Sequence, residues 1–230
     1  MVTTGYSKPY VAKYANAGST VTYSGGMPLG RGVSLSLEID TADDNNFYAD
    51  NVVAETETAQ FTSGSATITV DGLENDAATL IYGLPTPTSL TVDEEPVSMQ
   101  GYGDLQAPYV GFGCIRRTQM NGVVQYWPLI LPKIKFAIPS EEMNTAEDQI
   151  EWQTQELTAT VLRDDTAAGN WKVISEEGMA TEAEAYAAVV TFLGGSQQSL
   201  QTMAAKAAAQ AANEGATAAN HAAEPGEAKK

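Results

Sequence analysis

The strongest constraint on the fold is a stretch in which apolar and polar residues alternate strictly, VSLSLEID at Val33–Asp40. Valine, leucine and isoleucine occupy every second position, and serines and acids occupy the positions between them. Successive side chains of a β-strand point to opposite faces, so a period of two predicts a strand with one face on a core and the other in water. The chain therefore has to supply a sheet around this strand.

Further segments have the composition of strands bounded by turn residues. They are SATITVDGL (65–73), ATLIYGLP (78–85), the two runs on either side of Asn121-Gly122, and QIEWQTQELTATVLR (149–163). Asn-Gly between two such runs is the strongest short signal for a hairpin. Pro128 and Pro132 lack a backbone donor, so we expect the second arm of this hairpin to be an edge strand or to be interrupted. The apolar positions of 149–163 change face, which indicates either a bulge or a strand that passes between two contact surfaces.

The composition changes towards the C-terminus. TEAEAYAAVVTFLGG begins with Thr181 and Glu184 at the spacing of a capping box and ends in two glycines, which predicts a helix at about 181–193. Residues 196–230 contain 13 alanines and few large apolar residues, so we expect a partly helical or disordered extension. The sequence thus predicts a mainly β domain at 1–195, a β-sandwich or partial barrel with one flanking α-helix, followed by an Ala-rich extension at 196–230.

The charge of the chain limits its partners. It has 12 basic and 29 acidic residues, a net charge of −17. The extension holds three of each sign, so the whole excess lies in 1–195, with 26 acids and 9 bases. Such a surface repels phosphate, and we expect no specific grip on nucleic acid.

The chain also lacks the usual signals for export or membrane insertion. Its first residues, MVTTGYSKPYVAKY, contain no apolar segment, and no apolar run approaches the roughly 18 residues that cross a bilayer. The single cysteine, Cys114, fits a protein made in a reducing cytoplasm. We therefore expect a soluble protein without a membrane anchor.

The residues needed for common catalytic chemistry are nearly absent. His221, in the extension, is the only histidine, which excludes Ser-His and Cys-His systems and zinc sites of the usual kind. Cys114 lies in an alternating run, and we expect a buried, unreactive thiol. The adjacent pairs of carboxylates lie mostly in turn-like sequence, where solvated charge is expected. The sequence therefore predicts no enzyme, no metal and no cofactor.

The most distinctive stretch is ADDNNFYADNVVAE at Ala42–Glu55, which combines four acids and three asparagines with two aromatic residues. It could be a metal site, a catalytic cluster or a polar loop. It lacks the ligand spacing of a calcium loop, and it has no basic partner that could tune a carboxylate for acid–base work. We therefore expect a polar loop, with Phe47 and Tyr48 as anchors.

A small group of basic residues stands out against the acidic background. Arg116 and Arg117 lie in the first arm of the predicted hairpin, and Lys133 and Lys135 lie in the second. They either balance charge locally on the exposed side of the hairpin or form a patch that meets an acidic surface of a neighbouring copy. Both interpretations remain open at this stage.

The sequence VSLSLEIDTADDNNFYADNVVAE resembles the signature of phage major tail proteins, the tail-tube subunits of long non-contractile, siphovirus-type tails. In that family an alternating strand leads into a YAD[ND] motif, here Tyr48-Ala49-Asp50-Asn51. Three further segments resemble the family in the same order: APYVGFGCIRRTQMNGVVQYWPLILPKIKF, MNTAEDQIEWQTQELTATVLR and GNWKVI. The resemblance covers about residues 25–175.

The resemblance implies a β-sandwich with one helix that assembles into hexameric rings, stacked as a tube through which double-stranded DNA passes without specific binding. The implied partners are further copies of the chain, a tape measure protein, a tail terminator and distal tail or baseplate proteins. The implied location is the tail of the virion, after assembly in the cytoplasm of the bacterial host.

The resemblance also suggests roles for particular residues. Phe47, Tyr48, Asp50 and Asn51 would form an assembly loop. Polar strand faces would line a negatively charged lumen, with Glu38, Asp40 and Glu151 as candidates. The four basic residues, Arg116, Arg117, Lys133 and Lys135, would form a patch between subunits.

Two rival interpretations belong to other classes of protein. One is a carbohydrate- or cell-surface-binding β-sandwich that decorates a particle, and the other is a hydrolase built on the carboxylate pairs. A decoration module stays discrete in solution, whereas a tube protein forms rings or tubes.

Overall fold

The computed structural model of the chain describes residues 1–92, 95–139 and 154–195, which form a mainly β fold. Met1–Gly194 is one compact unit. The described residues form twelve strands and two helices: β1 (Val2–Ala17), β2 (Thr20–Pro28), β3 (Gly32–Thr41), β4 (Asn45–Ala49), β5 (Val52–Glu57), β6 (Phe61–Val70), α1 (Asn75–Tyr82), β7 (Thr88–Val92), β8 (Glu95–Met99), β9 (Val110–Met120), β10 (Val123–Phe136), β11 (Gln155–Leu162), β12 (Val173–Ile174) and α2 (Glu182–Phe192).

One large antiparallel sheet dominates the fold. Its strands follow the order β2-β1-β9-β10-β11-β6-β3, and β12 also pairs with β10. Strands β2 and β3 are joined by three residues, yet they stand at opposite ends of this order. The sheet therefore curls until its two ends approach: a Cβ atom on Gly32 would lie 2.4 Å from the ring of Tyr6. The result is a partial barrel, in which β3 comes close to the N-terminal half of β1, beyond the residues that pair with β2.

The main core fills the inside of the curled sheet. Buried side chains of the strands, among them Ile68, Phe112, Leu131 and Val161, pack in one cluster with Ile81 of α1. Burial of this kind is worth roughly 1.5–3 kcal/mol for each large apolar side chain, so the interior face supplies most of the stability.

Helix α1 corrects a prediction. The segment 78–85 was expected to be β, but residues 75–82 form a helix that ends at Gly83, whose φ of 66° is left-handed. Ala77, Ala78, Ile81 and Tyr82 are its buried residues. They recur at helical spacing and cover one face, a pattern that a short apolar run does not distinguish from a buried strand.

Helix α2 packs on the opposite side of the sheet, against β1, β9 and β10. A Cβ atom on Gly113 would lie 2.5 Å from Val189 Cγ1, so the absence of a side chain there lets the helix approach. The predicted helix and its capping box are confirmed. Thr181 Oγ1 accepts from Glu184 N at 3.3 Å, and Thr181 N donates to Glu184 Oε2 at 3.2 Å.

The hairpin predicted at Asn121-Gly122 is confirmed, with φ of 51° and 82° at the two turn residues. Positive φ at both positions suits a two-residue hairpin turn. The prediction that its second arm lies at an edge is wrong, because β10 pairs with β9 on one side and with β11 and β12 on the other. The alternative, an interruption, is confirmed at Pro132, which lies in the register shift between Leu131 and Ile134.

The remaining strand predictions are confirmed where the structure describes them. β3 contains Val33–Asp40, with Leu35 and Leu37 half-buried. β11 lies within the predicted run 149–163, but residues 149–153 fall outside the described residues, so the change of face there stays a prediction. The extension at 196–230, with His221, also falls outside them. In the described segments, no helix has both the length and the apolarity to cross a membrane.

Candidate functional site

The outer surface of β3, β6 and β11 is rich in hydroxyl groups. Strand β6 alternates between buried residues, such as Ala66 and Ile68, and half-exposed serines and threonines. The registers of the three strands place eight hydroxyls and three carboxylates on this surface, which we call the hydroxyl face: Ser34, Ser36, Glu38 and Asp40 of β3, Ser63, Ser65, Thr67 and Thr69 of β6, and Glu156, Thr158 and Thr160 of β11.

Hydrogen bonds between side chains of neighbouring strands order part of the hydroxyl face. Ser34 Oγ donates to Thr69 Oγ1 at 2.8 Å, and Ser63 Oγ donates to Asp40 Oδ2 at 3.1 Å. Lys135, which pairs with Thr160 from β10, adjoins the face as a basic neighbour. Three carboxylates against one lysine leave the surface net negative, and its hydroxyls bind water without supplying positive charge for phosphate.

Two of the three lumen candidates thus lie together. Glu38 and Asp40 are exposed on the hydroxyl face, where they pair with Ser65 and Ser63. Glu151 lies outside the described residues.

The sheet ends in two long edge strands. Among the described strands, β2 pairs only with β1 and β3 pairs only with β6. Each therefore has an edge on which no described strand pairs, over nine residues in β2 and ten in β3. Neither edge is open along its full length, because Gly194 lies against the Tyr23 carbonyl of β2 and the start of β3 lies against β1. An open groove of about 450 Å³ runs beside β2, lined in part by Val21, Tyr23 and Phe192.

The distinctive stretch Ala42–Glu55 is a hairpin, so its expected loop structure is wrong. Ala42 N donates to Gln60 O at 3.0 Å, which extends the β3–β6 pairing by one bond towards β4 and β5, a separate two-stranded sheet. Asp50 and Asn51 form the turn, with φ of 50° and 66°. Asparagine and aspartate tolerate this left-handed conformation better than other non-glycine residues, which explains how a polar sequence closes a hairpin.

The β4–β5 hairpin carries apolar side chains on both of its faces. Phe47 and Tyr48 are adjacent, so they point to opposite sides, and they are 65% and 63% exposed. Val53 lies opposite Tyr48, and Val52 lies opposite Ala49 on the side of Phe47. An isolated two-stranded hairpin is at best marginally stable in water, so a hairpin that exposes both faces is suited to insertion between other surfaces.

The four basic residues do not form one patch. Arg116 lies opposite Trp127, and Lys133 follows six residues later, which places it roughly 20 Å farther along the strand. Arg116 and Arg117 are adjacent in β9 and so point to opposite faces; Arg117 Nη1 donates to Thr4 Oγ1 at 3.1 Å. The register of the hairpin therefore separates the arginines from Lys133, and the single basic patch expected across the hairpin does not form.

Lys133 balances charge within the chain. Its Nζ lies 2.8 Å and 3.0 Å from the carboxylate oxygens of Asp165, and 4.7 Å from the centre of the Tyr109 ring. Tyr14 Oη also donates to Asp165, at 2.8 Å. These hydrogen bonds, first from Lys133 and then from Tyr14, hold the pKa of Asp165 below its usual value. Burial, then the bond to Asp165, raises the pKa of Tyr14 to about 12. The cluster fastens the loop after β11 onto β1 and β10.

Two observations on the described residues concern metal binding and the one cysteine. These residues contain no group of three or more histidine, cysteine or carboxylate side chains placed to hold a metal ion. Cys114 is buried, as predicted, and burial raises the pKa of its thiol to about 12. This thiol therefore stays protonated and unreactive near neutral pH.

Sequence reasoning missed several strands, among them β1, the edge strand β2 and the exposed β7–β8 hairpin. The available signal for this hairpin was the alternation of Leu90 with Val92, and of Val97 with Met99, on either side of an acidic stretch of sequence.

No protein-family model matches the chain, and no curated protein matches its sequence at a significant level.

Proposed function

We propose that the chain is the tail-tube subunit of a siphovirus-type phage, a structural protein of the virion. Copies would form hexameric rings through the edges of the large sheet, and stacked rings would form a tube for the passage of DNA. The observation that carries the proposal is one sheet with two long edge strands, β2 and β3, at opposite ends. The resemblance of Val33–Glu55 to the family signature gives the same interpretation.

The two edges favour a closed ring over a two-fold dimer. If β2 of one copy pairs with β3 of the next, each copy uses two different edges, and the interface is head-to-tail. Head-to-tail contacts generate a ring when the rotation closes.

The hydroxyl face suits the wall of the proposed channel. This face is polar and has an excess of carboxylates. It includes the outer surface of the edge strand β3, so strand pairing at this edge would make the hydroxyl face continuous with the surface of the next copy. A polar, negative wall keeps water at its surface and repels the phosphate backbone, so DNA moves without sticking.

Hydrogen exchange of the backbone amides, compared between dispersed and assembled protein, tests the pairing. Assembly should slow exchange in β2 and β3, because their outward N–H groups gain partners. β9 and β10, which already have neighbours on both sides, serve as the internal control. Assembly that leaves β2 and β3 unprotected would show that the rings are held by other surfaces.

A further inference from the structure

The end of helix α2 lies against the free edge of strand β2. The helix ends at Phe192, and the chain then turns at Leu193 and Gly194, whose φ of 74° is left-handed. Leu193 is fully buried, and Cβ atoms on Gly111 and Gly113 of β9 would lie 2.7 Å and 3.2 Å from its side chain. The absence of side chains at these two glycines makes room for Leu193, which fixes the turn on the sheet.

This turn covers a backbone group that points outward from the sheet. Tyr23 of β2 pairs with Tyr14 of β1, and Tyr14 N donates to Tyr109 O at 3.0 Å, on the side of β9. Tyr14 and Tyr23 are therefore a non-hydrogen-bonded pair, in which the N–H and C=O of Tyr23 point away from β1. A Cβ atom on Gly194 would overlap Tyr23 O. The turn thus lies over a carbonyl that a strand added to this edge would need.

The contact between the turn and the edge is small. The side chain of Phe192 is 42% exposed, and its ring centre lies 6.0 Å from that of Tyr23 at an angle of 42° between the rings. Gly194, on the other side of Leu193, has no side chain to hold it there. Proteins commonly cover the edge of a sheet with a helix or loop, which prevents unwanted pairing with other chains. A cover with so few contacts costs little to displace.

We infer that the turn Phe192–Gly194, which we call the edge cover, is an autoinhibitory contact. It keeps single copies from pairing through β2, and it is displaced when this edge takes up a strand of a second copy. This inference rests on the proposed function, in which β2 pairs with β3 of the next copy, and it adds a barrier to that pairing. Assembly then depends on removal of the edge cover as well as on the encounter of copies.

The first test is the variant Phe192→Ala, with Thr191→Ala as the matched control. Both substitutions remove an exposed side chain from the end of α2, and Phe192 carries the ring that lies against Tyr23. The threshold concentration for ring formation, read by light scattering and electron microscopy, should fall roughly threefold to tenfold, the range that a pair of aromatic rings contributes. The control should keep the wild-type threshold. If Phe192 were an anchor of the interface, its loss would raise the threshold instead.

The second test is Gly194→Ala, which acts on the edge cover by another route. The added Cβ overlaps Tyr23 O and pushes the turn away from the edge, so this variant should also lower the threshold. Its control is Gly122→Ala, where φ of 82° is again left-handed but an added Cβ meets no atom within 4 Å. The control carries the same kind of backbone strain and should not lower the threshold. Circular dichroism of the dispersed variants verifies that they keep the β content.

The outcomes separate the inference from the proposed function. An unchanged or raised threshold in Phe192→Ala, with rings formed by the wild type, would overturn the inference alone. A wild type that stays dispersed while Phe192→Ala forms rings would support both the inference and the proposed function. If the wild type and both variants of the edge cover form no rings, the proposed function fails, and the inference fails with it.

Discussion

Glu38 and Asp40 are the acids of the hydroxyl face on edge strand β3, where they lie opposite Ser65 and Ser63. If this face lines a channel, reversing their charge should convert a wall that repels DNA into one that holds it. We expect tubes of Glu38→Lys/Asp40→Lys to retain double-stranded DNA at low salt and to release it as salt rises, because retention depends on contacts with phosphate.

The matched control for that variant is Glu176→Lys/Glu177→Lys, the same change of charge at exposed residues beyond β12. DNA retention is measured by co-sedimentation with the tubes. Equal retention by both variants would mean that total charge, and not the hydroxyl face, governs the interaction.

The lowered pKa of Asp165 predicts how the stability of the fold depends on pH. Hydrogen bonds from Lys133 and Tyr14 lower its pKa in the folded state, so its contribution is fully present above the unfolded pKa of about 3.9 and is lost as pH falls through the folded value. Asp165→Asn should lower the urea midpoint near neutral pH, and its stability should fall less steeply than that of the wild type below about pH 4.

The exposed Asp104→Asn variant controls for the loss of one negative charge. Urea titrations of dispersed protein from pH 7 to pH 3 measure the effect. If the free energy of unfolding falls equally steeply with acid in the wild type and in Asp165→Asn, the cluster around Lys133 does not stabilise the fold.

At the scale of elements, we propose that the β4–β5 hairpin takes part in assembly, because it contains the segment that resembles the tail-protein signature. Phe47→Ala/Tyr48→Ala removes an aromatic side chain from each face, and both are exposed in the single chain. We expect assembly to weaken by roughly 2 kcal/mol or more per interface, the range of interface hot spots, while the dispersed protein keeps its β content.

Asp43→Ala, an exposed change just before the same hairpin, is the control for that variant. The threshold concentration for assembly, read by light scattering, gives the size of the effect. If Phe47→Ala/Tyr48→Ala assembles normally the hairpin is a bystander, and if the dispersed protein unfolds the hairpin belongs to the core.

The elements that sequence predicted correctly are those with local signals. The alternation of β3, the Asn121-Gly122 turn and the capping box of α2 each act within a few residues, and each lies where it was expected. The exposure of Glu38 and Asp40 follows from the same alternation. Their serine and threonine neighbours on β6 and β11 could not be predicted, because register between distant strands is set by tertiary packing.

The errors have physical causes of the same kind. Helix α1 has only eight residues, too few for helical periodicity to exceed the signal of an apolar run. The β4–β5 hairpin is rich in asparagine and aspartate, which favour turns, although only Asp50 and Asn51 form the turn. β10 is a central strand because it pairs with β9 on one side and with β11 on the other. The register of the β9–β10 pair also sets the distance between the arginines and Lys133. No local sequence pattern encodes these pairings.

At the scale of the whole molecule, self-association has to overcome a net charge of −17 on each copy. Repulsion between exposed charges is screened within about 10 Å at 0.1 M salt and about 3 Å at 1 M. Association driven by strand pairing and apolar hairpins should therefore strengthen as salt is added, because its attractive terms are not screened in the same way. Interfaces held mainly by complementary charge would weaken instead.

Negative-stain electron microscopy of the purified protein at high concentration and raised salt tests the tube proposal most directly. The prediction is rings of sixfold symmetry with a central channel, stacking into tubes as protein and salt increase. A strictly monomeric protein across the whole range, as expected of a discrete decoration module, would contradict it.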